Sequence, residues 1–240
     1  MSTELIIVLT VAVASFVSGV TGFGAALIAM PIISGLIGIY TAAPLIAIIG
    51  LTNDTLLCLY YRRSFDWGVV AHLWIGSALG IPVGFLILRF FPGDSLLSAL
   101  GIMIAAYAIY ALFDPVMPIL KSRQWVYGTG FLCGALGSSY NLPGPPIILY
   151  GNSQRWSQDK FKSNLSTFFW GNAVLVVLGH VVQGRLSGAI LHHYAIAVPS
   201  VAIGLFAGVT LSKFFNPVLF RKVVSVILFI IGIQLFFLGK

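Results

Sequence analysis

The chain has 240 residues, of which 59% are hydrophobic and 8% are charged, and its net charge is +7. Soluble domains carry about 25% charged residues. This composition therefore excludes a soluble catalytic domain, a nucleic-acid-binding protein and a disulfide-stapled secreted module. It predicts an all-α polytopic membrane protein, surrounded by the lipid bilayer, with its basic residues in the loops between membrane passes.

Uncharged stretches of the sequence locate the membrane segments in chain order. Residues 5–61 contain a single charged residue, Asp54, over 57 positions, which leaves room for two or three passes. Later uncharged runs of 17 to 30 residues reach or approach the roughly 20 residues that a helix needs to cross a bilayer. These runs are 67–88, 95–113, 125–154, 163–184, 186–212 and 223–239.

Internal repetition relates the two halves of the chain. The motif F-x-x-G-x-x-G begins at residues 16 and 131, and P-I-I begins at residues 31 and 146, so both motifs recur at an offset of 115 residues. Asn53 corresponds to Asn172 at an offset of 119, and G-x-x-x-G at Gly80 corresponds to the same motif at Gly204 at an offset of 124. The order is kept while the offset drifts slowly, as small loop insertions would make it. The pattern therefore predicts duplication of one unit.

Each predicted repeat has four hydrophobic segments, about eight helices in total. The repeats are an N-terminal one at 1–113 and a C-terminal one at 125–240, joined by a linker at 114–124 that carries charges and two prolines. The first segment of each repeat, at 5–30 and 125–151, is long and interrupted. The plainer helices are predicted at 43–61, 69–89, 95–113, 163–182, 189–212 and 221–238.

The basic residues predict how often each repeat crosses the membrane. If every segment crosses fully, the loop charges divide six against seven between the two faces. If the interrupted segment of each repeat dips in and returns, ten lie on one face and only Arg89, Arg185 and Lys240 on the other. The positive-inside rule favours the second arrangement. It inverts one repeat relative to the other, as in many secondary transporters, and places both termini outside the cytoplasm.

The two interruptions predict a ligand site. The first is S-G-V-T-G-F-G at 18–24, and its counterpart at 134–146 ends in P-G-P-P, which cannot continue an α-helix. A half-helix that begins after such a break directs free N–H groups and a positive dipole end into the membrane, which favours an anion. The alternative is that these glycines only allow close helix packing. That is the role we predict for Gly80, Gly84, Gly204 and Gly208.

Polar side chains inside the segments complete the predicted site. An amide occurs at equivalent positions of the two repeats, Asn53 and Asn172. Two interpretations stay open for this pair: a shared site, or two amides that each tie their own helix to a neighbour. Asp54 is a candidate proton carrier, because an acid inside a membrane segment is usually functional; the alternative is a position near the interface, about two turns from Arg62. The candidate substrate-binding residues are Gly19, Thr21, Gly22, Gly24, Asn53, Gly134, Gly137, Ser138, Ser139, Asn141 and Asn172. We predict no catalytic residue, no metal site and no cofactor. The histidines lie near predicted helix ends, and no nucleophile-and-base pair or phosphate-binding loop is evident.

These features together resemble the TauE/SafE family of sulfite and organosulfur anion exporters. The resemblance rests on G-V-T-G-F-G at 19–24 followed by Pro31, on G-x-x-G at 134–137 followed by the proline run at 143–146, and on the duplicated layout. It implies secondary transport of small sulfur-containing anions, such as sulfite, sulfoacetate or taurine-related compounds, across a bacterial inner membrane by alternating access. It also implies that the protein is not an enzyme.

The second interruption departs from the glycine-rich form of the first, with S-S-Y-N at 138–141 where F-G-A-A stands at 23–26. The identity of the anion therefore stays open. Two alternatives also remain: a passive anion channel, and an intramembrane sulfur-handling enzyme or scaffold that uses Cys58 and Cys133. A homodimer is compatible with this sequence, and no nucleic-acid partner is expected.

Overall fold

The computed structural model describes residues 2–113, 115 and 117–239, and every regular element within them is helical. The α-helices are α1 (Thr3–Thr21), α2 (Ala25–Ile37), α3 (Ile39–Tyr61), α4 (Trp67–Phe90), α5 (Gly93–Phe113), α6 (Gln124–Tyr140), α7 (Gly144–Ser153), α8 (Gln158–Val182), α9 (Gly188–Leu211) and α10 (Pro217–Leu238), with a 3₁₀ turn at Ser212–Phe214. Seven helical stretches in this part of the chain are long and apolar enough to cross a membrane. The protein is thus an all-α, multi-pass membrane protein.

Local capping signals explain several helix starts. The side chain of Asp66 accepts a hydrogen bond from the backbone N–H of Val69 at 3.3 Å and caps α4, and Asn216 caps α10 by accepting from Val218 N–H at 3.0 Å. Such caps satisfy backbone N–H groups that have no partner inside the helix. The two caps therefore fix where α4 and α10 begin, each directly after a short loop.

The structure breaks both interrupted segments, as predicted. Gly22 and Gly24 adopt left-handed backbone angles, with φ of 87° and 96°, and separate α1 from α2. Asn141, with φ of 54°, ends α6, and Pro143 precedes α7. Glycine adopts the left-handed region without strain, and asparagine adopts it more readily than most residues. Because each broken segment forms two helices, the described chain has ten α-helices where about eight segments were predicted.

Three predicted segments were shorter than the helices that form there. The first segment was predicted to end at residue 30, but α2 continues to Ile37 with Pro31 inside it, since a proline is tolerated in a membrane helix whose surroundings satisfy the freed backbone groups. Pro44 similarly lies inside α3, which begins at Ile39 and not at residue 43. Helix α8 begins at Gln158 and not at residue 163, because helices continue past the edge of the hydrocarbon into charged residues.

Four loops gather at one end of the helix bundle, which we call the basic face: 62–66, 117–123, 154–157 and 212–216. Lys160 at the start of α8 pairs with Asp66, and Gln154 Nε2 donates to the carbonyl oxygen of Leu120 at 2.8 Å. The opposite face holds the start of α1, the end of α10 and the start of α9. There His192 Nε2 lies 3.3 Å from Glu4 Oε1.

Each broken segment folds back on itself. Ile6 near the start of α1, Leu36 near the end of α2 and Leu238 at the end of α10 line one cavity at the opposite face. In the second half, Asn152 Nδ2 near the end of α7 donates to Tyr110 Oη at the end of α5, at 3.1 Å, on the basic face from which α6 starts. Helices α2 and α7 therefore return to the faces that their segments left.

Glycines bring the long helices into backbone contact. A methyl group added at Gly80 of α4 would collide with the carbonyl oxygen of Phe131 in α6, and one at Gly204 of α9 would collide with that of Ala12 in α1. All four glycines predicted to pack helices lie at such contacts: Gly80, Gly84, Gly204 and Gly208. That prediction is confirmed. Apolar surface gives no drive for association in lipid, so these close contacts supply it through van der Waals packing.

Helices α3 and α8 cross antiparallel between these pairs and form the centre of the molecule. The Cys58 sulfur lies 4.0 Å from Thr167 Oγ1, and one helical turn further along α3 the Ser163 hydroxyl donates to the carbonyl oxygen of Tyr61. Near the basic face, the Asp66 N–H donates to Asn164 Oδ1 at 2.7 Å. The middle residues of α3 and α8 consequently face the starts of α2 and α7.

Candidate functional site

A cavity of about 60 Å³ lies where the two breaks meet α3 and α8. Its walls are Gly24–Leu27 at the start of α2, Asn141–Gly144 at the start of α7 with Gly137 beside them, and side chains from the middle of α3 and α8. A single water needs roughly 10–15 Å³ of such space. The central cavity therefore accommodates a few waters or one small polyatomic ion.

Five of the residues predicted from the sequence line the central cavity. They are Gly24, Asp54, Gly137, Asn141 and Asn172. They come from both breaks and both central helices, so the structure brings together groups that lie up to 148 residues apart in the chain. The other predicted residues lie elsewhere: Gly19, Thr21, Gly22, Asn53, Gly134, Ser138 and Ser139.

Three of these outlying residues lie at contacts between helices, and a fourth bonds within its own helix. Methyl groups at Gly19 and Gly134 would collide with backbone atoms of α9 and α4. The buried Ser138 hydroxyl donates to the carbonyl oxygen of Ile81 at 2.8 Å and so ties α6 to α4. The Ser139 hydroxyl donates to its own helix, to the carbonyl oxygen of Ala135 at 2.7 Å. Their polar groups are satisfied within the protein.

The two repeated amides occupy different environments. Asn172 Oδ1 accepts a hydrogen bond from the Ser77 hydroxyl at 2.6 Å, and its Nδ2 faces Gly137 on the cavity wall. Asn53 lies behind the wall, where its Nδ2 donates to Ser18 Oγ at 3.1 Å and to Asp54 Oδ1 at 3.3 Å. Asn172 thus reaches the cavity directly, whereas Asn53 orients the carboxyl group of Asp54.

The two half-helices offer unequal numbers of backbone donors. In the first turn of α2, Ala25 and Ala26 have N–H groups, whereas Leu27 N–H already bonds the carbonyl oxygen of Gly24 at 3.1 Å. In the first turn of α7, Pro145 and Pro146 have no N–H. The positive end of the helix dipole is present in both. The start of α2 is therefore the richer hydrogen-bond donor toward the cavity.

An open basic vestibule adjoins the first break on the basic face. One cavity of about 310 Å³ and a second of about 380 Å³ share the lining residues Thr21, Phe23, Lys162 and Arg221. A small apolar pocket of about 30 Å³ shares Thr21 and Phe23 with this vestibule and Gly24 with the central cavity. The vestibule and this pocket therefore lie between the basic face and the central cavity.

Lys162 is held in place by the first break and by α3. A methyl group at Gly22 would lie 3.3 Å from Lys162 Cγ, so the stem of this side chain runs along the glycine. Its Nζ lies 5.3 Å from the ring centroid of Tyr61, within cation–π range. Lys160 is differently engaged: its Nζ donates to Asp66 Oδ2 at 2.9 Å, and this hydrogen bond lowers the pKa of Asp66.

Sequence reasoning missed several wall residues that helical spacing could have found. Gly50 precedes Asp54 by four residues, and Phe169 and Val176 lie three before and four after Asn172. Residues at these spacings share a helix face. From the sequence alone, Lys162 was counted only among the basic residues that predict membrane orientation. Its position beside Gly22 depends on the fold-back of the first segment, which the sequence does not show.

The thiols and acids form no evident reactive centre in the described part of the chain. Cys133 is fully buried and Cys58 half-buried, and both are free thiols. No three His, Cys, Asp or Glu side chains among the described residues come together as metal ligands. The polar groups of the central cavity are suited to binding an ion and not to covalent chemistry.

The molecule is a multi-pass membrane protein with a small cavity at two half-helix N-termini, mostly apolar but lined by a few polar groups, an architecture found in secondary transporters. The model of the sulfite exporter TauE/SafE family matches residues 7–235. The chain therefore belongs to the TauE/SafE family, whose members are exporters and not enzymes. The resemblance stated from the sequence is confirmed, and the enzyme alternative is wrong.

A curated relative is similar over most of the chain. It is the probable sulfite/organosulfonate exporter TauE of Cupriavidus necator, which is 28% identical over 223 residues, covering 90% of this chain and 87% of the relative. No solved structure matches.

Proposed function

We propose that this protein is a secondary transporter that exports small sulfur-containing anions, sulfite first, across the bacterial inner membrane by alternating access. The observation that carries the proposal is the central cavity, where the starts of α2 and α7 meet Asn172 and Asp54. Family membership and the name of the C. necator relative support the substrate class. The volume of about 60 Å³ is room for several waters and so for a small anion of this class.

The proposal includes two inverted repeats, at 1–113 and 125–240, joined by the linker 114–124. Support comes from helix pairing across the halves: α4 packs on α6, α1 on α9, α3 on α8 and α5 on α10. The opposite fold-back directions of α2 and α7 agree with inversion. At a rise of 1.5 Å per residue, α2 and α7 are about 20 and 15 Å long, so each starts near the middle of a hydrocarbon layer about 30 Å thick.

The basic face is the cytoplasmic one in this proposal. Ten basic residues belong to it, whereas Arg89 and Arg185 lie at the opposite face; Lys240 falls outside the described residues. Both termini are then periplasmic, since the start of α1 and the end of α10 lie together at the opposite face. The open vestibule makes the structure an inward-facing state, and rocking of the two repeats would expose the cavity to the periplasm.

Asp54 is the proposed proton carrier. An ionised carboxylate beside an anion is unfavourable, because two like charges 4 Å apart repel by about 4 kcal/mol at an effective dielectric constant of 20. We therefore infer that Asp54 carries a proton when the anion is bound. One proton moving with a monovalent anion makes transport electroneutral. Export of the anion without a proton would instead be driven outward by the inside-negative membrane potential, with about 2.3 kcal/mol per charge for each 100 mV.

The experiment is efflux from proteoliposomes of the purified protein, with sulfite, sulfoacetate, taurine, sulfate and chloride compared in parallel, with and without a pH gradient. The proposal expects saturable sulfite efflux that responds to the pH gradient. In Asp54→Asn, the pH response should disappear while sulfite binding in detergent persists. Flux that does not saturate would identify a passive channel, and no sulfite flux from folded protein would overturn the proposal.

A further inference from the structure

His180 on α8 is a buried histidine with unpaired ring nitrogens. Its exposed fraction is 0%, and neither Nδ1 nor Nε2 has a hydrogen-bond partner among the described residues. Its ring packs edge-on against Phe85 of α4, with 5.0 Å between the ring centroids. Buried polar groups are nearly always hydrogen-bonded, because an unpaired one loses its hydration without compensation. Packing alone would be served as well by a phenylalanine, so the two nitrogens need a separate explanation.

The position of His180 relates it to the central cavity. Asn172, Val176 and His180 follow one another at intervals of four residues and so share one face of α8. The first two line the central cavity. His180 lies one turn further along this face, on the side of the cavity away from the basic vestibule. It therefore lies beside the route that an ion would follow from the cavity to the opposite face.

A small hydrophobic cluster closes this route. Ala47, Ile81, Phe85 and Val176 pack together apart from the main core, and Ala47 and Val176 also belong to the cavity wall. The ring of Phe85 lies directly against the α8 backbone, since a methyl group at Gly179 would collide with it. Movement of α4 relative to α8 would displace this ring and expose His180.

Arg185 lies on the other side of the same cluster. Its backbone N–H donates to the carbonyl oxygen of His180 at 3.0 Å, and its guanidinium carbon lies 5.9 Å from the centroid of the Phe85 ring. Partial burial and the nearby Arg89 lower the pKa of Arg185. An anion that entered between these groups would relieve the repulsion between the two guanidinium groups.

We propose that His180 and Arg185 form a second binding position for a small oxyanion, between the central cavity and the opposite face, which Phe85 covers in this conformation. The inference rests on the proposed transport function. An imidazole N–H and a guanidinium group together match an oxyanion, because charge-assisted hydrogen bonds from arginine to such groups are strong and directional. The anion would pass from the central cavity to this position when the two repeats rock apart.

The test compares His180→Phe with a control, His192→Gln, which changes an exposed histidine near the same face. His180→Phe keeps an aromatic ring against Phe85 but removes both nitrogens, so the variant should fold and bind sulfite in detergent with unchanged Kd. Its sulfite efflux from proteoliposomes should fall about tenfold or more, the size of effect that loss of a charge-assisted hydrogen bond produces. His192→Gln should transport at the wild-type rate.

A purely structural role for His180 predicts that a folded His180→Phe variant exports sulfite at the wild-type rate. Full efflux by a folded His180→Phe would overturn the second binding position. If that variant does not fold, Arg185→Gln decides instead, because its side chain lies in a loop: slower efflux at unchanged sulfite Kd supports the proposal, and wild-type efflux overturns it. Failure of the transport function itself is distinct, since the wild-type protein would then move no sulfite.

Discussion

The two breaks produce the same fold-back with different chemistry. The first uses Gly22 and Gly24 at positive φ, and the half-helix after it keeps its N–H groups at Ala25 and Ala26. The second uses Asn141 at positive φ, and prolines occupy two of the first three positions of α7. The first break therefore keeps backbone N–H donors beside the central cavity, whereas the second is stiffened by proline and places the amide of Asn141 in the cavity wall.

The two breaks also differ in their surroundings. The first adjoins the basic vestibule, where the stem of Lys162 runs along Gly22. The second is held inside the bundle, where Asn141 Nδ2 donates to the carbonyl oxygen of Ala43 at 2.8 Å. In the proposed function an anion therefore enters beside the first break, whereas the second break is anchored to a neighbouring helix.

The largest expected effect comes from introducing into the first turn of α2 a proline like those that begin α7. Ala26 and Pro145 both occupy the second position of their half-helices. Ala26→Pro removes a donor while the first helical turn still tolerates proline, so sulfite affinity should fall about tenfold or more. The reverse change, Pro145→Ala, should not weaken binding. Calorimetric titration of both variants in detergent measures this, and equal affinities would contradict the assignment of donors to α2.

Asn141 tests the rigid second break. Asn141→Ala loses the hydrogen bond to Ala43 and places at a φ of 54° a residue that tolerates the left-handed region less well than asparagine, so the free energy of unfolding should fall by about 1–3 kcal/mol. Asn141→Gly loses only the hydrogen bond and should be less destabilised. Thermal unfolding in detergent ranks the two variants, and a glycine variant less stable than the alanine variant would refute this explanation.

Lys162 tests the entry route at the first break. Lys162→Gln removes a positive charge from the vestibule, so KM for sulfite should rise severalfold while the maximal rate is kept, and the effect should shrink as salt screens the field. Lys160→Gln is the matched control, because Lys160 is paired with Asp66. An equal rise of KM in both variants would indicate a general surface-charge effect and not a local one.

The smallest effect concerns the ion pair between Lys160 and Asp66. The hydrogen bond from Lys160 lowers the pKa of Asp66, so the pair stabilises the folded protein at pH values above the ordinary carboxyl range, and this contribution is lost as the pH falls through the lowered pKa. Asp66→Asn keeps a good helix cap but removes the charge. It should unfold at a slightly lower temperature at neutral pH, and the difference from wild type should vanish in strong acid.

Much of the fold follows from local sequence signals. Composition and uncharged runs predicted the membrane helices, since a helix that crosses lipid must satisfy its backbone internally and present apolar side chains. Glycines and prolines predicted both breaks, because their effect on backbone angles acts within a few residues. The boundary errors at Pro31, Pro44 and Gln158 arose where neighbouring helices or the aqueous interface override a local signal.

The candidate site was less predictable for a physical reason. The sequence marked Asn53 and Asn172 as equivalent, yet only Asn172 faces the central cavity, while Asn53 bonds Ser18 and orients Asp54. Which side of a helix faces a cavity depends on the rotation of that helix against its neighbours. Helix-packing contacts such as those at Gly80 and Gly204 set this rotation, and they join residues far apart in the chain.

The sequence by itself determined the class of protein, its membrane segments, its breaks and its packing glycines, because each depends on composition or on local backbone preference. Only the tertiary structure decided that Asp54 and Asn172 share one cavity with both breaks, that Lys162 lines the vestibule, and that His180 is buried with no hydrogen-bond partner in the described part of the chain. These facts depend on how helices from both halves pack together, which no local pattern contains.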